Sequence, residues 1–283
     1  MSNVLNRLGA LGAAYKDPVA AIAWDRSDPD LPWLPPNMLS LAGVSCQAEM
    51  PRDTLLRFSQ VEFARLCAAG LWLEGLLIGR VAQSGFLAAE TDETRVMLQE
   101  VREESGHGLM FLEMIDRAGL SGVPLLGPTR LLTSVAQRLD PQGAAFWAMV
   151  YIGESVTDTF ALKALKEVNA ANGLICPVAR QVLQLHHRDE ARHIAAARVF
   201  LEARVAAMGP AKRWAFRALV GVLLKKFLLA TLYPTVASLQ AMGLPNAAAA
   251  VHSARNCPER RKLAAACAAP ARDLIGRTMV RPT

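Results

Sequence analysis

Three features are scarce in this sequence, and each absence argues against a class of protein. Aromatic residues make up only 6% of the chain, and clusters of β-branched residues with a period of two are absent, which disfavours a β-rich domain. The most apolar stretch, Leu219 to Leu232, is interrupted by Lys225 and Lys226. No run therefore reaches the roughly 18 uncharged apolar residues that a transmembrane helix requires.

Cysteine is also scarce, and its distribution argues against a disulfide framework. The five cysteines are an odd number and form no C-x-x-C motif, which favours reduced thiols in a cytoplasmic protein. Met1 to Lys16 has only a short apolar patch, so we expect no signal peptide. These cysteines are Cys46, Cys67, Cys176, Cys257 and Cys267.

What is present indicates an all-α protein. Hydrophobic residues make up 52% of the chain and charged residues 20%, with Ala and Leu dominant, and the length fits one large domain. We divide residues 1–283 into an irregular N-terminal arm (1–52), a four-helix bundle (53–209) and basic C-terminal helices (210–283). Pro-rich sequence predicts an extended arm, which we expect to wrap on the bundle through the apolar anchors Trp24, Trp33, Leu39 and Leu41.

Capping residues and breakers set the predicted helix boundaries. The last of the long helices is expected to bend at Pro234. Gly127-Pro128 should open a shorter helix that ends near Leu139. The predicted long helices run from Asp53, as N-cap, to Ser84; from after Asp92 to Ala118; from Pro141 to Ala171; from Pro177 to Met208; and from Ala211 to Met242.

One stretch, Leu185 to His193, has the pattern of half a metal site. On a helix, His186, Glu190 and His193 fall within roughly 60° of one another. Glu104 and His107 repeat the Glu-x-x-His spacing of Glu190 and His193. Two such motifs, with one Glu from each of two further helices, are the ligand set of a carboxylate-bridged dimetal site in a ferritin-like four-helix bundle.

The turn positions select the two remaining carboxylates. In an antiparallel hairpin, facing residues lie equidistant from the turn. Glu74 and Glu104 are centred on residue 89, and Glu154 and Glu190 on residue 172; both centres fall in predicted turns. The other candidate on the first helix, Glu62, would miss the site by about three turns.

The neighbours of these residues predict further roles. Asp189 and Glu103 are placed to accept the outer N–H of a ligand imidazole. His187 points about 100° away from His186 and is expected not to be a ligand. Mixed nitrogen and oxygen ligation with a redox role favours two Fe²⁺/Fe³⁺ ions, with manganese as an option, over zinc or magnesium.

Four stretches resemble the p-aminobenzoate N-oxygenase (AurF-like) family of non-haem diiron oxygenases. The extra His four residues before the last Glu is the distinguishing ligand of that family, and Trp24-Asp25 and Pro35-Pro36 are also similar to it. The resemblance extends to about Phe200. The stretches are Ala68–Glu74, Glu103–Phe111, Gly153–Asp158 and His186–His193.

This resemblance implies a function and a ligand set. It implies a monooxygenase in small-molecule biosynthesis, which uses O2 to oxidise an arylamine to hydroxylamine or nitro products. One departure from the family is the small Gly106, where we expect a bulky polar residue. The implied ligands are Glu74, Glu104, His107, Glu154, His186, Glu190 and His193.

Other functions are compatible with paired Glu-x-x-His motifs. A desaturase or hydroxylase that acts on a carrier-protein-bound substrate is the nearest enzyme alternative, although the extra His186 argues against it. A ribonucleotide reductase subunit should have Tyr where Phe111 stands. A non-enzymatic ferritin-like iron-binding protein should be shorter and lack the arm.

Charge is distributed unevenly and suggests a partner. The chain carries a net charge of +6, yet twelve Lys or Arg and only two acidic residues lie from Pro210 onward. We expect Arg260, Arg261 and Lys262 to help dock an acidic partner or carrier protein. An external electron donor is also required. We expect no nucleic-acid partner. The sequence leaves open whether the chain forms a homodimer. The sequence does not show which of four aromatic residues line a substrate pocket and which belong to the core: Trp72, Phe146, Tyr151 and Phe160.

Overall fold

The computed structural model describes residues 2–12, 14–83, 92–123, 125, 130–170 and 174–279. Within these ranges the protein is all-α, as predicted, with helices and no strands. Two short 3₁₀ helices, Trp24–Arg26 and Pro36–Met38, lie in the N-terminal arm. The α-helices are α1 (Ser2–Gly12), α2 (Pro18–Ala21), α3 (Ser45–Ala48), α4 (Arg52–Gln83), α5 (Asp92–Arg117), α6 (Arg130–Ala136), α7 (Ala144–Ala170), α8 (Pro177–Ala206), α9 (Pro210–Leu232), α10 (Val236–Ala241), α11 (Ala247–Asn256) and α12 (Pro258–Met279).

Four long helices, α4, α5, α7 and α8, form the central bundle. Helix α4 packs along α5, and α7 packs along α8, so the two predicted hairpins are both present. The predicted turn centres, residues 89 and 172, lie outside the described residues. None of the helices that the structure describes is long and apolar enough to cross a membrane.

The N-terminal arm is more ordered than the sequence suggested. Its first eleven described residues form α1, which packs against α5 and α8, because Leu5 and Leu8 supply an apolar face that is buried in the core. Further along, Trp33, Leu39 and Leu41 are also buried in the main core. The arm therefore covers the bundle with a helix as well as with irregular chain.

Two predicted helix starts are displaced, each for a local reason. The first long helix begins at Arg52, so Asp53 lies in its first turn and is not the N-cap. Helix α7 begins at Ala144 and not at Pro141, because Asp140 forms a turn first: its Oδ1 atom accepts a hydrogen bond from Gln142 N at 2.9 Å. The Pro141 carbonyl accepts the Trp147 indole N–H at 2.7 Å, which fixes this turn to the helix.

Pro234 ends α9 and does not kink it. The proline ring cannot continue the helical hydrogen bonds, so α9 stops at Leu232 and α10 begins with a capping box formed by Thr235 and Ser238. The carbonyls released at this break accept hydrogen bonds from two buried arginines. Arg65 donates to Tyr233 O at 2.8 Å, and Arg260 donates to Leu232 O at 2.7 Å.

This arrangement corrects the expected role of Arg260. This residue is 3% exposed, and its side chain also donates to the carbonyls of Met38 and Leu39. It therefore joins the C-terminal helices to the arm and cannot dock a partner. Four exposed cations of this region, Arg217, Lys225, Arg261 and Arg272, line a groove of about 750 Å³ between α9 and α12.

Candidate metal centre

The four bundle helices bring all seven predicted ligands into one buried cluster. These residues are between 0 and 7% exposed. Their candidate ligand atoms form four overlapping groups, and within each group all the atoms lie within 4.8 Å of one another. The members are Glu74 on α4, Glu104 and His107 on α5, Glu154 on α7, and His186, Glu190 and His193 on α8.

Glu104 and Glu190, the carboxylates of the two Glu-x-x-His motifs, occupy the middle of the cluster. Glu104 lies 2.9 Å from His107 Nδ1 and 2.7 Å from His193 Nδ1. Glu190 lies 3.5 Å from His107 Nδ1 and 3.4 Å from His193 Nδ1. Each carboxylate thus faces the histidine of its own motif and that of the other, which is the placement that bridging between two metal ions requires.

Glu74 and Glu154 approach from the two other helices. A close contact between α4 and α7 at Gly153 brings them to the same level: a Cβ atom at residue 153 would lie 2.8 Å from Leu73 Cδ1. Leu73 and Gly153 directly precede the two glutamates in the sequence. The glycine therefore allows the helices to approach where both carboxylates enter the cluster.

The donor atoms of this cluster fit two divalent cations. Both carboxylate oxygens of Glu74, Glu154 and Glu190, one of Glu104, and His193 Nδ1 are buried without a hydrogen bond. Buried polar atoms are rarely left in this state, because each loses its interactions with water without replacement. Four carboxylates match the charge of two divalent ions, and coordination would use these free oxygen and nitrogen lone pairs.

The proton affinities show how strongly the cluster attracts positive charge. Burial, reinforced by neighbouring carboxylates, raises the pKa of Glu74 and of Glu154 well above the usual value. Burial opposes charging of His107, yet Asp189, Glu104 and Glu190 raise its pKa to about 9. Burial would also raise the pKa of Glu104, but His193 and His107 outweigh it and lower that pKa to about 2. In the metal-free protein, bound protons therefore supply positive charge that metal ions would otherwise provide.

Both predicted outer carboxylates face the outer nitrogen of an imidazole in the cluster. Glu103 Oε2 lies 3.3 Å from His193 Nε2, and Asp189 Oδ2 lies 3.6 Å from His107 Nε2. The first is a hydrogen bond, whereas the second is an ion-pair distance. These carboxylates orient the rings and fix which nitrogen faces the centre.

Sequence reasoning missed Arg192, which holds Glu103, and Glu100, which pairs with Arg192. Arg192 forms ion pairs with both Glu103 and the buried Glu100. Glu100, Glu103, Glu104 and His107 recur at helical spacing on α5, and this stripe could have identified Glu100. Arg192 stands between Glu190 and His193, but its sequence position did not reveal that it crosses to α5.

Two candidate residues stay outside the cluster, as predicted. The His187 side chain is 37% exposed, and its Nδ1 atom contacts Asp158. Glu62 is buried elsewhere, 2.6 Å from Arg65 Nη1 and 3.1 Å from the backbone N of Ser40.

Gly106, which seemed out of place in the sequence, is explained by the arm. A Cβ atom at this position would lie 2.8 Å from Pro18 Cδ and would also collide with the Tyr15 hydroxyl. The Tyr15 ring in turn lies under the Arg102 guanidinium, 4.8 Å from the ring centroid. The glycine therefore lets the arm lie directly on α5 beside His107.

A small cavity of about 50 Å³ borders the centre at His186. Phe111 also lines it, with its ring centroid 5.3 Å from that of His186. Among the four aromatic residues that the sequence left undecided, only Phe160 is part of this lining. The cavity is a candidate substrate pocket.

Comparison with known proteins identifies relatives of the chain. A model of the family described as P-aminobenzoate N-oxygenase AurF matches residues 2–278. Uncharacterised proteins of Mycobacterium bovis and Mycobacterium tuberculosis are 28% identical over 199 residues, which cover 67% of this chain. The match spans 56% of the length of those relatives.

Solved structures share the fold. A glutamate-to-aspartate mutant of an R2-like ligand-binding oxidase, with an aerobically reconstituted Mn/Fe cofactor, has a TM-score of 0.59 and 12% identity, with 98% of this chain and 92% of that chain covered. A valine-to-isoleucine mutant of an R2-like ligand-binding oxidase, also with a reconstituted Mn/Fe cofactor, has a TM-score of 0.53 and 12% identity, with 98% and 93% covered. These matches confirm the ferritin-like helical fold.

Proposed function

Because the chain belongs to the p-aminobenzoate N-oxygenase family, we propose that it is a non-haem diiron oxygenase that uses O2 to oxidise an arylamine to hydroxylamine or nitro products. The observation that carries the proposal is the buried cluster of four glutamates and three histidines, with carboxylate oxygens that have no hydrogen-bond partner. The cavity beside His186 borders the same centre, and we infer that a small substrate would approach through it.

We assign all seven clustered residues as metal ligands. When bound, two iron ions would supply the electrons for reductive activation of O2. Glu104 and Glu190, in the middle of the cluster, would hold the ions together with Glu74 and Glu154 from the two other helices. The three histidines would provide neutral nitrogen ligands that leave the charge balance unchanged. This mixture of nitrogen and oxygen donors suits iron, and manganese is compatible with it.

The residues around the ligands control protons and access. Glu103 accepts from the outer nitrogen of His193 and is itself held by Arg192, so the ring presents Nδ1 to the centre. Asp189 performs the corresponding role at His107 and connects it to the exposed Arg188, whose Nε atom lies 2.9 Å away. The apolar cavity lining excludes water, which would otherwise compete with substrate for the centre.

A carrier-protein-dependent hydroxylase or desaturase is the second candidate, and the groove between α9 and α12 favours it. Arg217, Lys225, Arg261 and Arg272 line this groove together with apolar residues such as Leu228 and Ile275, and the described lining contains no acidic residue. Such a surface suits an acidic protein, which would be either a carrier protein or an electron donor.

Aerobic turnover distinguishes these functions. The protein should be loaded with Fe²⁺ without oxygen and then exposed to O2 with a reductant and a panel of arylamines. Hydroxylamine and nitro products should appear with iron and not with zinc, which has the same charge but no redox chemistry. O2 consumption and iron oxidation without any amine product would contradict N-oxygenation and would favour the alternatives.

A further inference from the structure

The cavity beside His186 is enclosed by five helices and is almost entirely apolar. Residues of α4, α5, α7, α8 and α9 line it. Its apolar lining includes Phe63, Phe111, Phe160, Val182 and Leu183. The His186 end adjoins the metal centre, and Leu232 belongs to α9, which supplies no ligand. An amine that points at the centre would place its remaining atoms among these apolar side chains.

Apart from His186, which we assign as a metal ligand, the few polar groups in the lining do not suit an anion. The Thr157 hydroxyl donates to Gly153 O at 3.0 Å, and the Thr231 hydroxyl donates to Phe227 O at 2.8 Å. Both hydroxyl protons are therefore used within their own helices. Burial raises the pKa of the Cys67 thiol, which stays neutral. Among the described residues that line the cavity, none is Lys or Arg.

Two arginines lie on neighbouring segments, but their guanidinium groups are already engaged. Arg65 Nη1 is 2.6 Å from Glu62, and its Nη2 atom donates to Tyr233 O. Arg260 donates to three backbone carbonyls. Neither side chain belongs to the cavity lining.

We propose that this cavity binds an uncharged, apolar arylamine and rejects one that carries a carboxylate opposite the amino group. The substrate for which the family is named has such a carboxylate. Its transfer into this cavity would leave an ion without water or a partner, which is strongly unfavourable. The inference deepens the proposed function, because it assumes that the amine reaches the centre through this cavity.

The size of the cavity limits its ligands further. Its volume of about 50 Å³ is smaller than the roughly 150 Å³ of a cavity that holds benzene. An aromatic ring therefore enters only when lining side chains move. Leu66 is half-buried, so a longer side chain at that position can reach water from the lining.

Calorimetric titration of the iron-loaded, oxidised protein without reductant tests the inference, because no turnover occurs. The probes are p-toluidine and p-aminobenzoate at about pH 7.5, where the first is neutral and the second is ionised. They differ mainly in a methyl or a carboxylate group at the same ring position. We expect p-toluidine to bind about 100-fold more tightly.

Two variants make the test specific to charge. Leu66→Lys places a cation at the lining and should strengthen p-aminobenzoate binding about tenfold. Leu66→Met introduces a side chain of length similar to that of lysine but without the charge, and it should not strengthen binding. Failure of p-toluidine to bind, equal or tighter binding of p-aminobenzoate, or no difference between the two variants would each overturn the inference. Turnover of p-aminobenzoate by the native protein would overturn it while leaving the proposed oxygenase function intact.

Discussion

His186 Nε2 lies 2.9 Å from Glu190 Oε1, one helical turn along α8. The adjacent His187 is turned away and contacts Asp158. Two neighbouring histidines therefore have different environments, and only the first faces the centre. The pair provides an internal control for the role of the third histidine.

We expect His186→Ala to fold and to bind iron, because six ligands remain, as in diiron sites built only from paired Glu-x-x-His motifs. It should lose most of its oxygenase activity and change the absorption spectrum of the oxygenated protein, because one iron loses a nitrogen donor. His187→Ala should do neither. Iron content, turnover and spectra of the two variants should be measured together. Equal activity losses in the two variants would remove the special role of His186.

Glu74→Ala should lower iron content, whereas Glu62→Ala should leave it intact. Glu62→Ala should instead destabilise the fold by about 3–5 kcal/mol, because Arg65 would be left as a buried charge without its partner. Metal analysis and chemical denaturation separate the two effects. Loss of iron in Glu62→Ala at a temperature where it remains folded would show that the α4 register is wrong.

Metal binding should release protons and should weaken as the pH falls. Glu74 and Glu154 have pKa values raised well above the usual range, and the pKa of His107 is about 9. At neutral pH His107 holds a proton in the metal-free protein, and the raised pKa values of Glu74 and Glu154 favour their protonated forms, so a cation must displace protons. Lower pH favours the protonated forms, so the apparent affinity should rise with pH up to about 9. Titration with Mn²⁺ in weakly buffered solution measures the release; binding without proton release would contradict this protonation pattern.

The groove between α9 and α12 should affect the rate of electron delivery. Arg217→Ala/Arg272→Ala should slow turnover with an acidic ferredoxin at low ionic strength, and the difference should disappear in high salt. Arg255→Ala/Lys262→Ala removes the same charge from exposed positions outside the groove lining and should have little effect. With dithionite as reductant, all the variants should match the native protein. Equal slowing by both double variants would show that the net charge of the protein, and not the groove, determines the rate of electron delivery.

The sequence predicted the cluster well because helical geometry relates residue number to position so directly. His186, Glu190 and His193 share a face at any point along a straight helix. The prediction of Glu74 and Glu154 required only the assumption that facing residues of each hairpin lie equidistant from its turn. Because α4 and α5 pack along each other, as do α7 and α8, these carboxylates lie level with the Glu-x-x-His motifs.

What the sequence did not predict depends on contacts between distant segments. Arg260 looked like a surface cation until the break at Pro234 placed free carbonyls beside it. Gly106 looked like a defect in a helix until Tyr15 and Pro18 were found packed against it. Arg192 could not be paired with Glu100 from spacing alone, because these residues belong to different helices. Such partners follow from tertiary packing and not from local pattern.

The most direct test of the dimetal centre is a crystal structure of the iron-loaded protein with anomalous scattering measured at the iron edge. The account predicts two iron peaks within the cluster formed by α4, α5, α7 and α8, bound by all seven side chains. His186 should contribute a ring nitrogen at about 2.0–2.4 Å, the length of ordinary bonds between first-row metals and imidazole. A single peak, or a His186 ring turned out of the cluster with His187 in its place, would contradict the account.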